Sequence, residues 1–215
     1  MISFEDKELH YGKKLVLSKL TLKINKGDKV AILGESGVGK TTLLKAMREE
    51  VNGTSSWCPQ DPGLVPMLNG YHNIYMGRLD QHHFLKNLKE LIFLGQQEKD
   101  TIKSIAKSVA LENELTQVSG AMSGGQRQRL SIGRALYSQK SILLADEPVS
   151  ALDEFQAQEV LTLVANHFET MVLVLHDIEL ALKFCDRVIA LKNDTVFFDK
   201  SSASLTEKDL QQIYQ

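Results

Sequence analysis

The chain has 215 residues, 43% of them apolar and 24% charged, and its 25 basic against 27 acidic side chains leave a net charge of −2. That is globular composition for one large domain, or one domain with an inserted lobe, and it excludes disordered and fibrous classes. The charge balance offers no broad basic surface for gripping nucleic acid, and no apolar run approaches the roughly 20 residues of a membrane-spanning helix. Cys58 and Cys185 are too few for a disulfide framework and lack metal-ligand spacing. Met1-Ile-Ser-Phe-Glu-Asp6 has neither the basic start nor the apolar run of a signal peptide, so a reduced, soluble, cytosolic protein is expected.

Along the chain, Leu20 to Ile24 alternates apolar and polar as a half-buried strand does, and Asn25-Lys-Gly-Asp28 reads as a tight turn. Val30-Ala-Ile-Leu33 is a continuous apolar run, which suits a strand covered on both faces. Residues 39 to 50 have helix-forming composition, with Leu43, Leu44 and Met47 on one side and Asn52-Gly53 closing the segment. Residues 65 to 138 are polar and helical in pattern. They carry an amphipathic stretch through His82, Phe84, Leu85, Leu88, Leu91 and Ile92 and a second through Ile102, Ile105, Ala106 and Val109.

Strand–helix alternation then returns: a strand at 142–145, a helix at 154–167, a strand at 172–175, a helix at 178–184 and a strand at 188–191. The fold class expected is α/β, a mostly parallel sheet with helices on both faces. Residues 1–64 and 139–215 would form the core, with 65–138 as an inserted helical subdomain.

Three motifs carry chemistry. Gly34-Glu35-Ser36-Gly37-Val38-Gly39-Lys40-Thr41 fits G-x-x-x-x-G-K-[ST], with a strand before it and a helix after it. Its glycines let the backbone curl so that N–H groups face phosphate oxygens, and the following helix, which continues through Thr42, adds its positive end. Lys40 can reach the β- and γ-phosphates, and the Thr41 hydroxyl suits Mg²⁺. The chain is therefore expected to bind a nucleoside triphosphate. Second, Ser141 to Pro148 delivers Asp146 and Glu147 at the carboxyl edge of a strand, where open α/β sheets bind ligands. Adjacent residues leaving a strand project to opposite sides, so Asp146 is assigned to Mg²⁺ and Glu147 to the attacking water as general base. Taken alone, Asp146-Glu147 could equally be a solvated turn stopped by Pro148. Third, Ser123-Gly124-Gly125-Gln126 precedes a helix that Ser123 can cap, and its exposed N–H groups make a second anion site. One phosphate loop already cradles one nucleotide, so the second site needs another explanation.

With these residues in hand, the sequence resembles the ATP-binding subunits of ABC transporters over essentially its whole length. Met122-Ser-Gly-Gly-Gln-Arg127 is similar to the family signature, usually begun by leucine. The resemblance implies a P-loop NTPase core of the RecA-like type, Mg-dependent ATP hydrolysis, and two cassettes closing head to tail. Each ATP would lie between Lys40 and its neighbours on one chain and Ser123, Gly124, Gly125 and Gln126 on the other. It further implies that Tyr11 stacks on adenine and that Gln60 reaches the metal and attacking water. By the same resemblance, Ser150-Ala-Leu-Asp153 crosses between the sites, and His176 is the switch histidine at the γ-phosphate.

Integral membrane permease subunits, docking near Gln60 and residues 61–78, are implied as partners, and a solute-binding protein is a further candidate. The chain would then sit in the cytoplasm, on the inner face of the membrane. Asp61 to Pro66, Asn73 to Leu79 and the tail Leu205 to Tyr214 are similar to importer ATPases of the phosphonate type. An exporter, a lipoprotein-extracting machine and a soluble ABC ATPase remain the alternatives.

Two departures from the family pattern stand out. Only 19 residues separate Lys40 from Gln60, about half of what the family shows, so the antiparallel β lobe beside the base is expected to be shortened, with Gly53-Thr-Ser-Ser-Trp57 as its abbreviated return. Gly133 stands in the helix after the signature, where it costs about 1 kcal/mol or marks close packing. His82-His83 is read as solvated helix surface rather than a metal site.

Overall fold

The structure is a computed structural model and describes residues 1–214. In chain order its first elements are β1 (Ile2–Tyr11), β2 (Lys14–Ile24), β3 (Lys29–Gly34), α1 (Lys40–Glu50), β4 (Ser55–Cys58), α2 (Gly70–Tyr75), α3 (Phe84–Ile92), α4 (Gln96–Ser108) and α5 (Gly124–Tyr137). They are followed by β5 (Ile142–Asp146), α6 (Glu154–His167), β6 (Thr170–Val174), α7 (Ile178–Phe184), β7 (Arg187–Lys192), β8 (Thr195–Ser201) and α8 (Glu207–Ile213). The chain divides into two compact units. One comprises Met1–Trp57, Ser141–Pro148 and the chain from Phe168 onward; the other comprises Cys58–Lys140 and Val149–His167.

The first unit holds a six-stranded sheet in the order β4-β5-β6-β3-β7-β8 and a separate two-stranded sheet, β1-β2. β3 pairs in parallel with β6 and β7, and β5 with β6, while β8 closes the edge antiparallel to β7. The inner strands have no solvated face: all five residues of β6 are buried, as are Val30 to Gly34 of β3. That explains why their sequences are continuous apolar runs rather than alternating ones. α1 lays Leu43, Leu44 and Met47, each 0% exposed, into a core shared with Ile32, Leu144, Val172, Ile189 and the inner side chains of β1-β2. A tight turn at Gly12 (φ 61) returns the chain from Tyr11 to Lys14.

Residues 53–57 differ from expectation. They are not the return of the antiparallel lobe; Ser55–Cys58 is the edge strand of the main sheet beside β5. Its pattern, buried at Ser55, Ser56 and Cys58, is that of a covered strand. The lobe is therefore the β1-β2 hairpin, and the shortened stretch after Lys40 runs from α1 through one turn at 51–54 directly into the sheet.

The second unit is helical. Asn73, fully buried, pins the loop before α2: its amide nitrogen donates to the carbonyls of Val65 and Leu68 and to Ser119 Oγ, and its amide oxygen accepts from Val65 N. A Cβ built on Gly133 would stand 3.3 Å from Ile74 Cδ1, so that glycine marks close packing of α5 on α2. α6 groups with this unit rather than with the core and touches α5, and it buries Ala157, Val160, Leu161 and Val164. α3 is the helix foreseen in the amphipathic stretch, yet its apolar face is open: Phe84 is 76% exposed and Ile92 63%. His82 and His83 precede α3 instead of lying within it; His82 stacks on Tyr75 and His83 is the residue before the first turn. Among the described residues no helix is long and apolar enough to cross a membrane.

Candidate active site

The phosphate-loop segment bends at glycines that no other residue could replace without strain. Gly34 ends β3 at φ 148, and a side-chain carbon there would stand 2.6 Å from the backbone oxygen of Leu191. Gly39 has φ 110 and would press 2.5 Å from Val16 Cγ1. Between them Glu35, Ser36 and Gly37 are exposed, while Val38 is half-buried and packs on the core. Gly39 is also the N-cap of α1; it supplies no capping side chain, and no acidic residue stands in the first turn. The leading N–H groups of an 11-residue helix therefore keep their pull on anions, which is the physical requirement of a phosphate site.

Lys40 is 6% exposed, and its Nζ donates to the carbonyls of Gly34 (2.7 Å) and Glu35 (2.9 Å), at the mouth of the loop. Burial pulls its pKa below the usual lysine value, and the carboxylates of Glu147 and Asp146 push it back up. Thr41 and Thr42 follow, both half-buried.

β5 and β6 deliver the acidic side of the same unit. Asp146, 1% exposed, accepts from Thr41 Oγ1 at 2.7 Å through Oδ2, whereas its buried Oδ1 has no hydrogen-bond partner among the described residues. Burial raises this carboxyl above the ordinary aspartate range, opposed chiefly by the Thr41 hydroxyl. A buried carboxylate oxygen with nothing to accept from, beside a hydroxyl, is the donor set a hard divalent cation takes. The residues therefore fit Mg²⁺, with Thr41 and Asp146 to hold it.

Glu147 turns away, as adjacent residues at a strand end should. Its backbone N–H donates to Val174 O at 3.0 Å, and Oε1 lies 2.7 Å from His176 Nε2. Its φ of 51 is in the left-handed region, which costs a non-glycine residue about 1–2 kcal/mol. A strained acid beside a phosphate loop is the kind of site where such a cost is retained for chemistry. His176, just beyond β6, is half-exposed on its side chain.

Tyr11 is 72% exposed at the tip of the β1-β2 hairpin, its ring free to cover a flat ligand. In the second unit, Gln60 is exposed just after β4, and the chain beyond it is clamped by Arg134, which donates to Pro62 O at 2.5 Å and Gly63 O at 2.8 Å. Ser123 caps α5 with a full capping box: Ser123 Oγ accepts from Gln126 N at 3.2 Å, and Gln126 Oε1 accepts from Ser123 N at 2.8 Å. Gly124 is exposed and Gly125 half-buried at the start of the helix. The structure thus brings Lys40, Thr41, Asp146, Glu147 and His176 together within the first unit, and Ser123 to Gln126 together within the second.

Two residues near these motifs carry no signal in a motif scan. Tyr214 receives a backbone hydrogen bond from Gly34, so the C-terminal segment touches the phosphate loop. Gln128 is a polar side chain on the buried face of α5, a pattern that periodicity could have flagged.

The chain matches the family described as ABC transporter over residues 17–150, which take in the phosphate loop, the Ser123 turn and the Asp146-Glu147 strand end. The chain belongs to the ABC transporter family. It is an ATP-binding cassette of the ATPase type that this family comprises. Among curated relatives it is similar to the "Phosphonates import ATP-binding protein PhnC" of Pseudomonas putida, 33% identical with 96% of this chain and 87% of that one covered. The protein of the same name from Fusobacterium nucleatum is 29% identical, with 96% and 94% covered. The "Probable ABC transporter ATP-binding protein p29" of Mycoplasma genitalium is 29% identical over 100% of this chain and 97% of its own. The fold is that of MJ0796, solved as a dimeric bacterial ABC transporter cassette, with a TM-score of 0.81 at 24% identity over 95% of this chain and 100% of that one.

Proposed function

We propose that this chain hydrolyses ATP as one of two cassettes that close head to tail, and that the cycle powers movement of a small solute across a membrane through separate permease subunits. The observation that carries the proposal is the pairing of Asp146 on Thr41 with Glu147 on His176 at the carboxyl ends of β5 and β6, beside Lys40. Phosphoryl transfer asks little covalent chemistry of a protein; positioning and charge neutralisation do most of the work. In this reading Lys40 and the N–H groups opening α1 hold the β- and γ-phosphates. Mg²⁺, held by Thr41 and Asp146 with Gln60 as a further ligand, would supply neutralisation of phosphate charge when bound. Glu147 Oε1 accepts a proton from the attacking water, and His176 fixes the carboxylate's direction and contacts the γ-phosphate.

Tyr11 stacks on the adenine. Ser123, Gly124, Gly125 and Gln126 bind the ATP held by the second copy, which gives the second anion site its purpose. The similarity to phosphonate import ATPases supports a phosphonate-like solute and the import direction, with a solute-binding protein as an additional partner. A cassette working with a permease in this way would sit on the cytoplasmic face of the membrane. The net charge of −2 gives no support to a nucleic-acid partner.

The test is phosphate release by the purified chain with MgATP, together with sedimentation of the Glu147→Gln protein. We expect steady hydrolysis by the native chain, abolished by Lys40→Ala, and a dimer of Glu147→Gln that forms with ATP and not with ADP. A chain that binds ATP but neither hydrolyses it nor pairs would overturn the proposal.

A further inference from the structure

The loop Ser150–Asp153 and the Ser123 turn are not independent. Gln128, one turn into α5 and 8% exposed, spends both arms of its amide on that loop: Nε2 donates to Ser150 Oγ at 2.8 Å, and Oε1 accepts from Ala151 N at 2.8 Å. The loop backbone rests directly on the opening of the helix, since a Cβ on Gly125 would stand 3.1 Å from Ala151 O and 3.1 Å from Leu152 Cδ2, and one on Gly124 3.6 Å from Ala151 Cβ. At its far end the same loop is fixed by Asp153, whose Oδ1 accepts from Gln156 N at 2.9 Å as α6 begins.

A buried amide using one donor and one acceptor on consecutive residues sets both the position and the direction of the backbone it grips. Removing it takes from the Ala151 N–H and the Ser150 hydroxyl the one side chain that holds them both. We infer that Gln128 is a positioning residue that locks the Ser123–Gln126 turn and the Ser150–Asp153 loop into one rigid body, so that a chain presents both to a second copy together. The inference rests on the head-to-tail pairing proposed above and adds to it the reason both contacts would form or break as one. Gln128 itself touches neither nucleotide nor metal in this reading.

The experiment measures ATP-driven dimerisation in the Glu147→Gln background by sedimentation, alongside binding of a fluorescent ATP analogue at protein concentrations too low for pairing. For Gln128→Met, of similar length but without hydrogen bonds, the expected result is analogue affinity within about twofold of the parent and a dimer dissociation constant raised at least about tenfold, the scale of a lost buried hydrogen bond. In the otherwise native chain, kcat falls with the KM for ATP little changed, and the rise of rate with ATP loses its cooperativity. A role confined to folding would lower thermal stability and leave those readouts in place.

Ser150→Ala, at an exposed position, is expected to weaken dimerisation in the same direction, and the double variant to be less than additive, as for residues sharing one interaction. Dimerisation within twofold of the parent in Ser150→Ala and in folded Gln128→Met would overturn the inference; if Gln128→Met does not fold, the Ser150→Ala result decides alone. Failure of the Glu147→Gln parent to dimerise with ATP is a separate outcome that sinks the pairing itself, and the inference with it.

Discussion

Glu147 pays twice for its place, which makes its strain measurable apart from its chemistry. Its φ of 51 lies where an L side chain meets the following carbonyl oxygen, and its carboxylate is joined to His176 at 2.7 Å. Glu147→Ala and Glu147→Gly both delete the carboxylate and the His176 contact. They differ only in that alanine keeps the steric cost, about 1–2 kcal/mol, and glycine relieves it. At an ordinary position the order is reversed, because glycine loses more chain entropy on folding. Set against the relieved strain, that entropy leaves about 0.5–1 kcal/mol in favour of glycine, and at about 2–4 °C per kcal/mol for a chain of this size the glycine variant should melt about 1–4 °C above the alanine variant. Both should lose about 10²–10⁴-fold in turnover if Glu147 is the general base. The assay is calorimetric melting without nucleotide, paired with phosphate release. Equal melting temperatures, or alanine above glycine, would refute the strained backbone; near-native turnover in either variant would remove Glu147 from the base role.

Other expectations follow from the same geometry. Tyr11→Ala should weaken ATP binding by about 5- to 150-fold, the range for loss of one aromatic–base stack, while leaving the melting temperature unchanged because the ring is 72% exposed; unaltered affinity by calorimetry would take Tyr11 out of the base site. Gly34→Ala should lower stability by about 1–3 kcal/mol and abolish nucleotide binding, since its Cβ meets the Leu191 backbone oxygen at 2.6 Å; a stable, ATP-binding variant would contradict that contact. Burial raises the Asp146 carboxyl, so without metal its ionisation opposes folding. Stability from the protonated form is then complete below the unfolded pKa of about 4 and is lost as pH rises through the raised folded value. Asp146→Asn should therefore melt higher than the native apo chain by a margin that grows upward from about pH 4 and levels off, while losing Mg-dependent hydrolysis. A margin that shrinks with rising pH would reverse the assignment.

Much of this was legible because the chemistry is local in sequence. Gly34 to Thr41 is a contiguous motif whose backbone demands glycine, and β3 and β6 announce themselves as buried apolar runs. Strand geometry gives Asp146 and Glu147 opposite directions, and the structure sets the first on Thr41 and the second on His176, a histidine singled out only by the family resemblance. What stayed hidden depends on pairing across long separations. Ser55–Cys58 is too short and too polar to declare which sheet it joins, so its place beside β5 had to come from the fold. The helix at 154–167 is evident from periodicity, but its grouping with the helical unit is not, because that depends on contacts with elements distant in sequence. Gln128 and Tyr214 bond to partners 22 or more residues away; periodicity could flag Gln128 as a polar residue on a buried face but not name its partner, and nothing local distinguishes Tyr214 from an ordinary tail residue.

The central claim, that this ATPase drives transport, is tested most directly by what it holds in the membrane. Tagged Glu147→Gln protein would be incubated with MgATP and detergent-solubilised native membranes, recovered, and its bound proteins identified by mass, with Lys40→Ala as control. The account predicts recovery of a polytopic membrane subunit of the importer type with the first protein and its loss with the second. A membrane partner of the exporter type would contradict the import direction, and recovery of soluble proteins or ribosomes alone would contradict the transport claim itself.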